Sequence, residues 1–214
     1  MRTRRPSPLQ GRRPTREDLQ RFATDDPQAM DDVLPPLGDT LRLLMVGINP
    51  GLWTAAVNAP FARPGNRFWA SLHRAGLTGH LIDASCGLDE ADGRELTSRG
   101  IGITNLVGRA TARADQLDVH ELQEGGRHLV ERVEQLRPTV VAVVGITAYR
   151  SAFGLPRAQL GRQGPPLPAA WPAGTDLWVV PQPSGLNAHA TVESLARDWR
   201  AVARAAGVAH ANST

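Results

Sequence analysis

The chain has 214 residues, 41% of them hydrophobic, with 24 basic and 21 acidic side chains and a formal net charge of +3. That length suits one domain with a buried core and is short for two, and no apolar run approaches the roughly 20 residues needed to span a bilayer. The pI near 10.2 overstates the basicity: every basic residue is Arg, so almost nothing titrates between about pH 8 and pH 12 and a small positive excess sets a high value.

Residues 1–14 are rich in Arg and Pro and read as disordered, without the apolar stretch of a secretory signal. Thr15, Arg16, Glu17 and Asp18 offer a cap for a short helix reaching to about residue 23. The segment 25–40, with Pro27, Pro35 and Pro36, is an extended lead-in. LRLLMVGI (41–48) is continuously apolar and ends in Asn-Pro-Gly, as a buried parallel strand does. After a long loop, an amphipathic helix over 66–75 stops at Gly76. IGITNLV (101–107) is a second strand. Asp118 caps a helix through 135, with Gly125 and Gly126 weakening its middle. TVVAVVGI (139–146) and DLWVVPQ (176–182) are two more strands, and 191–206 is a closing helix. Strands alternating with helices predict a three-layer α/β/α sandwich around a mainly parallel four-stranded sheet. The expected organisation is a basic, largely disordered arm over 1–24, one domain over 25–208 and a disordered tail over 209–214.

Sites in such folds gather in the loops beyond the carboxyl ends of the strands. Two loops there are chemically unusual: GINPG (47–51) and PQPSGLN (181–187). The charge distribution adds a second clue. Arg2, Arg4, Arg5, Arg12, Arg13 and Arg16 precede the first acidic residue, Glu17, which leaves 18 Arg against 21 acids in the rest of the chain. Attraction for a polyanion must therefore come from the arm or from local patches. A chain without Lys has no side-chain amine for Schiff-base chemistry. Cys86 is the single cysteine, which excludes an internal disulfide and a four-cysteine metal or iron–sulfur site. His73, His80, His120, His128, His189 and His210 form no HxH or HxxxH pair, so neither a metal nor a cofactor is expected.

Four blocks, in order, resemble the mismatch-specific uracil-DNA glycosylases, a family that includes the thymine-DNA glycosylases: VGINPGL (46–52), NAPFARPGNRFWASLHRAGLT (58–78), GITNLVGRAT (102–111) and VPQPSGLN (180–187). The likeness runs from about residue 32 to 200 and implies a uracil-DNA glycosylase-like fold. It also implies a monofunctional hydrolase that removes uracil, with thymine or ethenocytosine as further substrates, from G-mismatched duplex DNA at the start of base excision repair. Such an enzyme extrudes its target base, holds it in a pocket and directs a water at an oxocarbenium-like sugar.

Asn49 ends a strand with a stiff Pro-Gly turn behind it, a place suited to holding that water, and the matching Asn of the family does so; the bland alternative is a turn cap. The resemblance implies that Phe61 stacks on the extruded pyrimidine, with Ile48 lining the pocket and Asn66 supporting it; the competing reading tucks Phe61 into the core. Gln182 matches a position where distant relatives place a His against the uracil carbonyl. Gly185, Leu186 and Asn187 read as a wedge, and the resemblance implies that Leu186 fills the gap in the stack while the flanking backbone pairs with the opposite guanine; the alternative is a plain surface turn. Ser184, Arg109 and Arg113 are candidate phosphate contacts. Trp53 and Thr54 stand where bacterial relatives commonly carry small hydroxyl residues.

The acidic run Asp83, Asp89, Glu90, Asp92 and Glu95 is most simply a solvated connection, with a general base drawn from it as the alternative. The expected partner is double-stranded DNA with a G·U or related mismatch, met by a monomer in the cytoplasm, at a bacterial nucleoid, with no membrane attachment. If all six Arg of the arm engaged phosphates, they would contribute about 5 to the log–log salt slope of binding. Two rivals stand beside this reading. One is a non-catalytic module that recognises mismatched or damaged DNA, and the other a nucleotide-binding protein using GINPG as a phosphate loop. The second lacks the G-x-x-x-x-G-K-[ST] pattern and the lysine it needs.

Overall fold

The four apolar runs become four parallel strands in a computed structural model that describes residues 4–185, 187 and 190–211. They are β1 (Leu43–Gly47), β2 (Ile101–Asn105), β3 (Val140–Val144) and β5 (Asp176–Val180). A two-residue antiparallel edge, β4 (Gly161–Arg162), makes a fifth, and the order across the sheet is β2-β1-β3-β5-β4. A segment of two residues between Pro-rich loops carries no periodicity, which is why it escapes a sequence reading.

The three layers follow from the alternation of side chains along each strand. Leu43 and Met45 of β1, with Val140, Ala142 and Val144 of β3, enter one core; Leu44, Val46, Val141 and Val143 enter the other. The first core is closed by α3 (Phe68–Ala75) and α7 (Val192–Ala206), through Phe68, Leu72, Leu195 and Trp199. The second is closed by α5 (Val119–Leu136) and α6 (Ile146–Phe153), through Leu129, Val133, Ala148 and Tyr149. Each fully buried Leu or Val contributes about 1.5–3 kcal/mol, so a strand buried on both faces is worth far more than its five residues would be on a surface.

Gly125 and Gly126 do not interrupt α5, which runs unbroken through them. A Cβ on Gly125 would stand 2.5 Å from the Leu106 carbonyl oxygen, and one on Gly126 2.7 Å from that of Ala152. The pair lets α5 lie against the end of β2 and against α6, and this packing offsets the helical cost of glycine. Thr15 and Asp18 cap α1 (Arg16–Arg21) as expected. Three further helices have no clear mark in the sequence: α2 (Leu52–Val57), α4 (Glu90–Thr97) and α6. Both α2 and α6 begin on a glycine with no side-chain cap, and α4 buries only Leu96.

The arm differs most from expectation. Asn58, at the end of α2, donates from Nδ2 to the Arg5 carbonyl at 2.7 Å, while its Oδ1 accepts from Asp31 N–H at 2.8 Å. Arg4 donates to the Asn58 carbonyl, and burial pushes its guanidinium below the usual arginine range. Arg5 pairs with Asp31 at 2.8 Å, and Arg12 with Asp18 at 2.5 and 2.8 Å. From residue 4 onward the segment is therefore seated on the domain, because its arginines meet carboxylates and carbonyls more than 20 residues away or within the first helix.

Sheet order also fixes where a ligand can enter. From β1 the chain passes to β2 on one side, and from β3 to β5 on the other, so the crevice opens at the carboxyl ends of β1 and β3.

Candidate active site

Both unusual loops converge on that crevice. Gly47 ends β1 opposite Asn105, the last residue of β2. Parallel pairing then continues past the strands: Leu106, Val107 and Thr111 donate from N–H to the carbonyls of Gly47, Ile48 and Pro50 at 2.9, 2.9 and 3.1 Å. The turn over 48–51 is thus held along 106–111.

Asn49 sits between these two segments. Its Nδ2 donates to the Arg109 carbonyl at 2.9 Å and to Thr111 Oγ1 at 2.8 Å, with the Pro50 carbonyl a third neighbour at 3.2 Å. An amide nitrogen has two hydrogens, so both are committed. The Arg109 carbonyl can only accept, which fixes the amide the other way round: Oδ1 faces away from it. Among the described residues nothing donates to Oδ1, and solvent reaches it. Asn49 is a rigidly presented acceptor.

Phe61 holds a left-handed backbone, φ +53°, an uncommon conformation for an aromatic residue and a local strain of about 1–3 kcal/mol. Its ring stacks on Phe68 with centroids 3.8 Å apart and planes at 18°. Phe68 is in turn met edge-on by Trp69 and Trp199, at 5.2 and 5.8 Å. One face of Phe61 is therefore backed by the core, and the half-buried ring has a second face. A Cβ on Gly47 would lie 3.4 Å from Phe61 Cζ and would collide with Asn105 Oδ1. Phe61 and Asn105 share one corner, open because residue 47 has no side chain.

Across β1, Ile48 and Gln182 meet over Gly145, the residue that follows β3. A Cβ there would lie 3.3 Å from Ile48 Cδ1 and 4.0 Å from Gln182 Cβ. Ile48, Asn49, Phe61, Asn105 and Gln182 thus gather at the carboxyl edge of the sheet, apolar side chains beside neutral amides. Residues 35–204 match the family described as the Uracil DNA glycosylase superfamily.

The chain belongs to that superfamily. Members of the uracil-DNA glycosylase superfamily are N-glycosylase hydrolases acting on DNA, and the match covers every element of the sheet and the whole amide-lined edge. Several expected site residues take other places in this superfamily member. Asn66 spends its Oδ1 on the Phe68 N–H at 2.9 Å, starting α3, and so supports the site through the helix. Arg109 forms a two-pronged pair with Glu121, at 2.8 and 2.9 Å, each group stabilising the other's charge and so raising the Arg109 pKa and lowering that of Glu121. Its guanidinium is committed, which disfavours phosphate binding, while its carbonyl anchors Asn49. Arg113 pairs likewise with Asp115. Trp53 donates to the Ser85 carbonyl at 2.9 Å, and Thr54 is buried.

The acidic run supplies no contact to Asn49. Asp89 caps α4 by accepting from Asp92 N–H at 2.7 Å, and Asp92 meets His80 Nε2 at 2.7 Å. Asp32 is a carboxyl group that burial raises, but it accepts from Thr104 Oγ1 at 2.7 Å and faces Arg132 of α5. In the second loop, Asn187 N–H donates to the Ser184 carbonyl at 2.9 Å and its Nδ2 to the Gln182 carbonyl at 3.0 Å. Leu186 and His189 lie outside the described residues.

Two site residues escaped the sequence reading, Asn105 and Thr111. For Asn105 the signal is present: it is the polar residue closing a buried strand, opposite Gly47 and two residues short of the level of Asn49. Thr111 has no such mark, since only the pairing of 106–111 with 48–51 brings it to Asn49.

Proposed function

We propose that the protein is a monofunctional, mismatch-directed uracil-DNA glycosylase that works on duplex DNA as a monomer. The observation that carries this reading is the fixed orientation of Asn49, whose carbonyl oxygen faces solvent from a turn held by Arg109 and Thr111. A water that donates to Oδ1 is aimed at C1′ of an extruded nucleotide. The C1′–N1 bond breaks and its electron pair leaves with the base as an N1 anion; the water oxygen bonds to C1′ and loses a proton to solvent, from which the N1 anion takes one up. An abasic sugar and a free base result.

The other groups supply recognition. Phe61 offers its second face to the pyrimidine. Asn105 presents a donor and an acceptor on one amide, the complement of uracil O4 and N3–H. Gln182 donates to the opposite carbonyl, with Ile48 closing the side. Gly185, Leu186 and Asn187 fill the stack and meet the opposite guanine, and the unpairing cost, least at a mismatch, favours G·U over a matched pair. Incubation with a duplex carrying one G·U pair is expected to give an alkali-labile strand; binding without cleavage would replace this proposal with a non-catalytic recognition module.

Borohydride should trap no covalent protein–DNA adduct during that reaction. The chain has no Lys, so only a terminal α-amine is available for a Schiff base. An adduct that persists after that amine is blocked would refute a purely hydrolytic mechanism.

The seated arm lowers its expected share of DNA affinity. With Arg4, Arg5 and Arg12 engaged inside the protein, at most Arg2, Arg13 and Arg16 remain to meet phosphates, Arg13 lying 4.0 Å from Asp83 and Arg2 falling outside the described residues. Replacing these three by Ala should reduce the salt slope of duplex binding by at most about 3, at roughly 0.9 per contact. A fall near 5 on removing all six would instead show that the arm leaves the domain to bind DNA.

A further inference from the structure

One arginine joins the two halves of the site. Arg67 stands immediately before α3, and its own N–H donates to the Pro183 carbonyl at 2.9 Å. Its Nη1 reaches the carbonyls of Ala190 at 2.8 Å, Asn187 at 2.9 Å and Ser184 at 3.3 Å. Four carbonyls of one loop converge on one residue that is more than 110 positions away in sequence. The backbones approach closely as well, since a Cβ on Gly185 would lie 3.0 Å from the Gly65 carbonyl oxygen.

The anchor is itself rigid. Phe68 and Trp69, the next two residues, are buried, and Trp69 Nε1 donates to the Pro60 carbonyl at 3.0 Å. Past Ala190 the loop runs directly into the capping box of α7, where Thr191 Oγ1 accepts from Ser194 N–H at 3.0 Å. Arg74 of α3 pairs with Glu193 of α7 at 2.7 Å, so both ends of the loop are referred to the same helix pair.

We propose that Arg67 is a positioning residue that holds the carbonyls of Pro183, Ser184, Asn187 and Ala190 so that the loop they belong to meets duplex DNA already ordered. This rests on the glycosylase reading. A loop that must enter a base stack gains from being ordered beforehand, because ordering it on binding would subtract from affinity. A guanidinium suits this role, since it stays charged and the two hydrogens of Nη1, one of them shared, serve three carbonyls at once. Loss of Arg67 leaves those carbonyls to water and the loop to fluctuate, while Asn49 and Phe61 keep their own anchors.

The test compares the unsubstituted full chain with Arg67→Met and Arg67→Lys. Hydrogen exchange at the Asn187 and Ala190 amides, which donate within the loop at 2.9 and 3.3 Å, reads its order without reference to activity. In Arg67→Met these amides should exchange about tenfold faster or more, the scale of losing one hydrogen bond to a charged group, with Arg67→Lys in between. Cleavage of a G·U duplex should fall by about the same factor, and cleavage of a single strand carrying uracil by much less. Unchanged exchange, or equal losses on both substrates, overturns the proposal. If the unsubstituted protein cleaves neither substrate, the glycosylase reading fails, and the exchange measurement still decides whether Arg67 orders the loop.

Discussion

Replacing Asn49 with Ala is expected to slow single-turnover cleavage of a G·U duplex by about 10²-fold or more, the scale of losing a positioned catalytic group, with duplex affinity little changed. The side chain has no basicity near neutral pH, so its contribution is geometric: one acceptor, held in place by two hydrogen bonds from the opposite end of the same amide. Most of the remaining acceleration must come from extrusion of the base and from stabilising the departing anion. Asn49→Asp sharpens the point. It keeps an acceptor for the water and adds charge that favours the sugar cation, so it should remain far more active than the Ala variant. Its second oxygen, however, replaces a donor 2.9 Å from the Arg109 carbonyl. That opposition should lower folding stability by about 1–3 kcal/mol, the cost of a buried polar group without a partner. Equal rates for Asn49→Ala and the unsubstituted protein would move the catalytic burden to another group.

What the sequence reveals of this site follows from local signals. The strands are legible because uninterrupted runs such as TVVAVVGI fit only a sheet buried on both faces, and GINPG and PQPSGLN stand out because they interrupt such runs at the carboxyl edge. That rule picks out the loops that hold Ile48, Asn49 and Gln182, and the family resemblance supplies the roles expected of Ile48 and Gln182. Thr111 and Arg67 are not picked out, because their roles depend on which carbonyl or amide lies opposite after folding, over separations of 62 residues for Asn49 to Thr111 and 117 for Arg67 to Ser184. The arm misleads for the same reason. Arg-rich, Pro-rich composition predicts a solvated segment, yet Arg4 and Arg5 find partners on Asn58 and Asp31 that no local pattern announces. Arg109 shows the converse: a basic residue in a promising loop whose charge Glu121 already answers. Composition identifies which charges exist, and only packing says which remain available.

The largest expected effect on stability comes from a residue that touches no substrate. Gly108 lies against the lead-in, and a Cβ there would overlap the Pro27 carbonyl oxygen and come within 2.8 Å of its carbon. Neither backbone can yield easily. The lead-in is tied to Gly108 by the Ala29 N–H at 3.3 Å, and to β2 by two hydrogen bonds between Val33 and Ile103 at 2.9 and 2.7 Å. On the other side, the residues just after Gly108 supply the Arg109 carbonyl and Thr111 Oγ1 that orient Asn49. Gly108→Ala should therefore destabilise by about 2–3 kcal/mol, the upper part of the range for overpacking because the clash is backbone against backbone. The fraction that stays folded should also cleave more slowly, since the loop relieves the clash by carrying the Asn49 anchors with it. Urea unfolding with single-turnover kinetics on the folded protein measures both. Gly164→Ala, where an added Cβ meets nothing within 4 Å, is the control and should change stability by no more than about 0.5 kcal/mol. Should Gly108→Ala match that control in midpoint and rate, the lead-in would not press on the loop, and the support of Asn49 would end at Arg109 and Thr111.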